Sequence, residues 1–204
     1  MVGQPFFSSK AAHATLPQIK GKICGEQRAF QHCPYSRSLN RLEIRSSLKS
    51  IPDLQELHCL TKLAIFNCSR LTRLPEGLEC LTRLNTLEIG GFDEMDAFPS
   101  LSSILHLHAS LEKLDLFGWD KLNSLPEEIQ YFTALKGLEI FYFERLEALP
   151  EWLGNLSSLQ YLYVHYCPKL KERYEGNSER SNIAHIPRCY TSFVQELGGM
   201  YISI

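Results

Sequence analysis

The chain has 204 residues, 44% of them hydrophobic and 22% charged, and a net charge of −2 at pH 7. This is the balance of a folded protein of one domain or one elongated array, and it argues against a general nucleic-acid binder, which would normally be basic. No apolar run is long enough for a transmembrane helix, and the N-terminal residues lack the apolar segment of a secretory signal. The seven cysteines are an odd number without closely spaced pairs, which favours reduced thiols over a disulfide framework. We therefore expect a cytoplasmic protein with no membrane partner.

Charge is unevenly distributed along the chain. From Met1 to Arg45 there are seven Lys and Arg against two Asp and Glu, whereas from Glu88 to Glu151 there are four against thirteen. Most of this asymmetry is expected to be solvated surface.

Residues 1–38 match no repeat and are predicted to be a degenerate repeat, a cap or a disordered segment. From Leu39 onwards the pattern Leu-x-x-Leu-x-(Ile, Leu or Val) occurs six times, with start-to-start spacings of 21, 24, 27, 24 and 24 residues. In four of these repeats a proline follows the first leucine by 15 residues. The first leucines of the six segments are Leu39, Leu60, Leu84, Leu111, Leu135 and Leu159.

A period near 24 residues with a fixed proline is typical of a solenoid and not of amphipathic helices. The alternating leucines predict one short strand per repeat, with the leucines inward, and stacked repeats bury what one repeat alone cannot. The stretch after each proline is expected to form a short helix or 3₁₀ turn on the opposite side. The predicted fold is an α/β leucine-rich-repeat solenoid, a curved right-handed coil with a parallel concave sheet. Predicted strands lie at 62–66, 86–90, 113–117, 137–141 and 161–165.

The six repeats are predicted to span residues 39–170, and residues 171–204 to form a C-terminal cap and tail. In the tail, Phe193, Val194, Leu197 and Tyr201 are apolar residues that could cover the last repeat.

Three features carry a resemblance to a known family. Cysteine occurs where many leucine-rich repeats place asparagine, as in IFNCSRLTRLPEGL; the phrase LPEWLGNLSSLQYLYVHYCPKLKER reads as a last full repeat; and IAHIP at Ile183–Pro187 reads as a short closing tail. Over roughly residues 39–188 the chain resembles the C-terminal leucine-rich-repeat region of plant nucleotide-binding leucine-rich-repeat disease-resistance proteins.

The resemblance implies a protein–protein recognition module in the defense response, which senses a pathogen effector or holds the protein inactive. Its implied partners are an effector, the host protein that the effector modifies, or a nucleotide-binding domain absent from this chain. No GxxxxGK[ST] phosphate loop is present, so a truncated product or fragment of such a protein is expected. The alternative is a free-standing intracellular leucine-rich-repeat scaffold.

A partner is expected on the concave sheet, because its solvent-facing side chains form a broad rigid surface. Glu88, Asp115 and Glu139 should lie on consecutive strands roughly 4.8 Å apart, and their mutual repulsion would favour a basic partner. Screening by solvent and by Lys113 is the competing interpretation.

Aromatic residues are also expected on this face, near its C-terminal end. They are Phe117, Phe141, Tyr161, Tyr163 and His165. Clustered exposed aromatics are typical of interfaces, although these could instead pack on one another or against the tail.

No catalytic motif stands out, and we expect neither an enzyme nor a cofactor. His106 and His108 are too few for a metal site. Cys68 and Cys167 are interpreted as small buried groups of the repeat.

Overall fold

The computed structural model of the protein describes residues 20–24, 38–45, 49–170 and 183–192. In this part of the chain, eight parallel strands form one sheet whose spatial order follows the chain. The strands are β1 (Lys20–Cys24), β2 (Arg41–Arg45), β3 (Lys62–Phe66), β4 (Thr86–Gly90), β5 (Lys113–Phe117), β6 (Gly137–Phe141), β7 (Tyr161–His165) and β8 (Arg188–Ser192).

The recurring leucines explain why the strands form and stack. The first leucine of each repeat and the two inward residues of its strand are buried, as in Leu135, Leu138 and Ile140, which are all fully buried. Each such side chain contributes roughly 1.5–3 kcal/mol, and only a neighbouring repeat can cover it. The five strand ranges predicted from the sequence are confirmed, and the chain is a leucine-rich-repeat solenoid of α/β class.

Backbone hydrogen bonds join each repeat to the next outside the strands as well. The residue before a strand donates its N–H to the carbonyl at the equivalent position of the preceding repeat, as from Asn85 to Thr61 at 3.0 Å and from Lys136 to Glu112 at 2.8 Å. The repeats are therefore held in register by main-chain hydrogen bonds, which do not depend on the identity of the side chains.

Short 3₁₀ helices lie on the side opposite the sheet, at Leu78–Cys80, Ser102–Leu107, Glu127–Tyr131 and Glu151–Asn155. The stretch after the proline is helical in the last two repeats, as expected, but Pro126 and Pro150 themselves lie one position before the first helical turn, as N-cap residues. Both have extended backbone there, with φ near the value that the proline ring imposes, so proline ends the preceding stretch instead of starting the helix.

The position that holds asparagine in many repeats is apolar and buried in the five repeats where the structure describes it. Its residues are Cys68, Phe92, Trp119, Phe143 and Cys167. The Trp119 indole Nε1 donates to the Met95 carbonyl at 2.8 Å, and the Cys68 thiol lies 3.7 Å from the Ile44 carbonyl. Burial raises the pKa of Cys167 to about 11. These contacts confirm the structural interpretation of the two cysteines.

Strands extend the sheet at both ends of the six predicted repeats. β1 lies within residues 1–38 and pairs with β2, and β8 lies within residues 171–204 and pairs with β7. Leu39, Leu42 and Ile44 of the first repeat are buried. The four apolar tail residues that the sequence suggested as a cover, from Phe193 to Tyr201, lie outside the described residues.

Candidate binding face

The concave face is made of three rows of residues on the outer side of the sheet, and the register of strands β2 to β7 aligns the residues of each row. The central row is Glu43, Ala64, Glu88, Asp115, Glu139 and Tyr163. The row before it is Arg41, Lys62, Thr86, Lys113, Gly137 and Tyr161. The row after it contains Phe66, Gly90, Phe117, Phe141 and His165.

Two lysines of the preceding row reach the acids of the central row. Lys62 forms an ion pair with Glu88 on the next strand. Lys113 lies 3.1 Å from Asp115 on its own strand and 2.8 Å from Glu139 on the next. Each of the three predicted acids thus has a cation beside it. Of the two interpretations of the acidic row, these contacts support internal pairing over an unmet need for a basic partner.

Asp115 is the one buried charged residue in the described part of the chain, with 5% of its surface exposed. It is flanked by Glu88 on one side and Glu139 on the other. Burial and repulsion from Glu139 raise its pKa to about 7, although the Lys113 ammonium acts in the opposite direction. Its Oδ1 has no hydrogen-bond partner. A proton on this carboxyl at mildly acidic pH would leave the two lysines opposite two glutamates, with no net charge.

A ladder of stacked rings, the aromatic ladder, runs along the row after the central one. Ring centroids are 5.1 Å apart from Phe66 to Phe117, 4.9 Å from Phe117 to Phe141 and 4.9 Å from Phe141 to His165, and all planes lie within 17° of parallel. The Arg45 guanidinium lies 4.1 Å above the Phe66 ring, in the geometry of a cation–π contact. Burial lowers the pKa of His165, against the attraction of Glu139, and so favours the uncharged ring.

At the C-terminal end of the face, Tyr163 connects the aromatic ladder to two further tyrosines. Tyr163 contacts His165 edge-on at 6.1 Å and packs against Tyr161 at 5.0 Å. On the other side, Tyr163 meets Tyr190 of β8 at 6.1 Å. Tyr190 remains 44% exposed. The predicted aromatics are therefore brought together, and both expected packing partners, each other and the tail, are present.

All eight residues suggested by the sequence lie on this face, but several neighbours were missed. Phe66 and Arg45 were not predicted as part of the site, although they form one end of the ladder. Tyr142 and Tyr166 were overlooked. They follow β6 and β7, have positive φ, and stack at 4.8 Å with planes 3° apart. They could have been found by comparing the residue that directly follows each strand. In other repeats this residue is Asn67, Gly91 or Gly118, so a tyrosine at the same position is unusual.

The described residues include no group of three or more potential metal ligands. His106 lies in the last turn of the 3₁₀ helix Ser102–Leu107 and His108 directly follows this helix; both are exposed. Across the described ranges, no helix combines the length and apolar character needed to span a bilayer.

A parallel sheet of leucine-bearing strands, backed by 3₁₀ turns and bearing an aromatic outer face, defines the chain as a leucine-rich-repeat module, and solenoids in general offer such a sheet as a binding surface. No protein-family model matches the chain. Over 91 residues the chain is 35% identical to the disease resistance protein RPP4 of Arabidopsis thaliana. These residues are 44% of this chain and 8% of that protein. Among solved structures, the functional domain of InlJ from Listeria monocytogenes, which includes a cysteine ladder, is similar at 14% identity with a TM-score of 0.41, over 78% of this chain and 40% of that one.

Proposed function

We propose that the chain is the recognition part of a plant nucleotide-binding leucine-rich-repeat disease-resistance protein, and that its concave face binds a protein partner. The partner is a pathogen effector, the host protein that the effector modifies, or the nucleotide-binding domain of the resistance protein itself. The module acts in the cytoplasm, needs no cofactor and catalyses no reaction.

The observation that carries this proposal is the aromatic ladder. Soluble proteins usually bury rings of this size, yet Phe117, Phe141 and Tyr163 point away from the core and are only partly covered. Half-buried aromatic clusters of this kind are typical of protein interfaces, where a partner completes their burial. The partial identity with a disease resistance protein supports the defense role.

The ion pairs narrow the chemistry of the partner. Lys62 and Lys113 already offset the acids at the centre of the face, so a strongly basic partner would have to displace them. We expect instead an apolar or aromatic contact on the ladder, surrounded by polar contacts to the central row. This agrees with interface anatomy, in which charged residues are depleted at the core and polar ones form the rim.

The test is a pull-down from plant leaf extract with the purified chain and with its Phe141→Ala/Tyr163→Ala variant, followed by mass spectrometry. We expect the wild-type chain to capture a resistance-protein nucleotide-binding domain, an effector or an effector target, and the variant to lose it. The Tyr131→Ala variant is the matched control, because Tyr131 is 55% exposed on a 3₁₀ helix at the opposite side.

Circular dichroism of each variant verifies that the solenoid is folded. Equal capture by wild type and double variant would contradict docking on the concave face. Capture of kinases or GTPases in place of immune proteins would favour the alternative, a free-standing scaffold. Measurable turnover of a substrate by the purified chain would contradict a pure binding module.

A further inference from the structure

An acidic groove lies at the edge of the sheet, where the chain leaves the strands. The first residues after β3 to β7 are called here the turn row; they are Asn67, Gly91, Gly118, Tyr142 and Tyr166. The first four of them line the groove. Gly91 and Gly118, which are neighbours in the turn row, have no side chains, so a cavity of about 300 Å³ opens between Asn67 and Tyr142.

One ring of the turn row faces this groove. On its C-terminal side the Tyr142 ring stacks on Tyr166, with planes 3° apart. On its N-terminal side the equivalent residue is Gly118, and there Tyr142 lines the groove. Tyr142 is 50% exposed and has a φ of 59°, a left-handed conformation that is uncommon for a bulky residue. The local fold thus holds a large aromatic side chain at the surface.

The groove carries negative charge from three successive repeats. Two residues beyond the turn row, Asp93, Asp120 and Glu144 line it at equivalent positions, and no lysine or arginine is among its lining residues in the described chain. All three carboxylates are exposed, and none makes an ion pair within the described ranges. The nearby Lys121 is 2.8 Å from Asp96, outside the groove, and Asp93 adds only a weaker attraction to it.

These features point to one kind of occupant. The volume suits a single side chain and is small for a cofactor. Within the described residues the acids do not form a group that could share a metal ion. A planar cation, by contrast, can stack on an aromatic ring and form paired hydrogen bonds with carboxylates, which an ammonium does less well.

We propose that this groove binds an arginine side chain of a partner protein, with the guanidinium on the Tyr142 ring and among Asp93, Asp120 and Glu144. The inference goes beyond the proposed function, because it concerns the loop edge and not the concave face. The two surfaces are contiguous through Phe117, which belongs to the ladder and also lines the groove. A partner seated on the ladder would bring its own side chains within reach of the groove.

The probe is the tripeptide acetyl-Gly-Arg-Gly-amide, titrated in the millimolar range into the isotope-labelled chain and followed by NMR. The citrulline tripeptide is the uncharged isostere, and the lysine tripeptide carries the same charge without the plane. We expect the arginine peptide to shift the amide resonances of Gly91 and Gly118. The lysine peptide should bind more weakly, and the citrulline peptide should leave these resonances unchanged.

The variant Asp93→Asn/Asp120→Asn/Glu144→Gln removes the three charges at nearly constant shape. We expect it to bind the arginine peptide at least about tenfold more weakly, which corresponds to about 1.4 kcal/mol. Its matched control, Glu79→Gln/Glu127→Gln/Glu151→Gln, makes the same change in net charge on exposed acids of the 3₁₀ helices and should bind as wild type. Tyr142→Leu, which keeps the charges and removes the ring, should also weaken binding.

Equal shifts with the arginine and citrulline peptides, or unchanged affinity in the triple variant, would overturn the proposal. Equal affinity for the lysine peptide would overturn the assignment to arginine. The Tyr163→Ala variant separates this result from the proposed function: it should keep the peptide shifts even if the concave face binds no partner.

Discussion

Phe66 and Phe117 stack on each other across Gly90, although a whole strand separates them. Their contact is possible because Gly90, the residue between them in the row, has no side chain. The backbone at this point is equally restrictive. Gly90 has a φ of 138°, and a Cβ built on it would lie 1.8 Å from the Phe117 carbonyl oxygen. Glycine is therefore needed here both for the ladder and for the path of the chain.

The Gly90→Ala variant should be strongly destabilised. An alanine would meet the Phe117 backbone and would also be held in a conformation that L-residues rarely adopt, at a cost on the order of 3 kcal/mol. Urea unfolding followed by circular dichroism measures this cost. Gly154→Ala is the control, because Gly154 is exposed and its φ is not positive, so its free energy of unfolding should change by less than about 1 kcal/mol. A similar loss in both variants would contradict the steric argument.

The Asp115→Asn variant should change how stability depends on pH. In the folded chain, burial and Glu139 raise the pKa of Asp115 to about 7, whereas an unfolded aspartate titrates at about 3.9. Between these values the folded state binds more protons than the unfolded state. The contribution of Asp115 to the free energy of unfolding therefore falls as pH rises through this window and is constant above it.

An amide does not titrate, so the variant should lose this slope. We expect Asp115→Asn to be more stable than wild type at pH 8, with the difference shrinking towards pH 5. Urea midpoints measured at several pH values test this, with the exposed Asp120→Asn as control. If the wild-type and Asp115→Asn curves remain parallel between pH 5 and pH 8, the buried carboxyl is not the titrating group.

The Lys113→Met variant should be destabilised, and more so at high pH. Burial alone would lower the pKa of Lys113, but hydrogen bonds to Glu139 and attraction to Asp115 outweigh it and hold the pKa above its ordinary value. Removing this half-buried cation leaves the carboxylates without their partner, at a cost of about 1–2 kcal/mol at pH 8. Protonation of Asp115 should reduce that cost at pH 5.

Lys136→Met provides the comparison for Lys113. Lys136 pairs with Glu112 at 2.7 Å, with both side chains about half exposed. Such a surface pair contributes about 0–1 kcal/mol, so its loss should be small and nearly independent of pH. A larger effect at Lys136 than at Lys113 would argue against a special role for the concave acids.

The Cys167 thiol should resist alkylation in the folded chain. Burial raises its pKa to about 11, so almost none of it is thiolate at pH 8. Iodoacetamide labelling with mass-spectrometric quantification per cysteine should modify the exposed Cys189 and spare Cys167, and urea should make both react. Prompt labelling of Cys167 without denaturant would show that this end of the solenoid opens readily.

The arrangement of strands could be predicted because the leucine spacing leaves little choice. Once Leu63 and Leu87 must both face inward, the residues between and beside them face outward, and parallel pairing aligns equivalent positions across repeats. This is why Glu88, Asp115 and Glu139 could be placed side by side from the sequence alone.

Contacts that depend on side-chain reach could not be predicted in this way. The pairing of Lys62 with Glu88 runs diagonally to the next strand, and a repeat pattern does not say where a long flexible side chain ends. The repeat pattern also did not show that the missing side chain at Gly90 allows Phe66 to stack on Phe117. The left-handed Tyr142 and Tyr166 were hidden because tyrosine is unusual in that conformation, whereas the other turn-row residues are of types that commonly adopt such turns.

The aromatic ladder has a consequence for the entropy of binding. Phe117 and Phe141 are each held between two other rings of the ladder, so their rotamers are chosen when the chain folds and not when a partner arrives. Ordering a mobile side chain at an interface costs roughly 0.5–1.5 kcal/mol. Because the ladder orders Phe117 and Phe141 before binding, a partner that contacts them avoids this cost. Replacing one ring of the ladder by a small residue would allow the neighbouring rings to change rotamer, so a substitution in this row would increase side-chain mobility over several repeats at once.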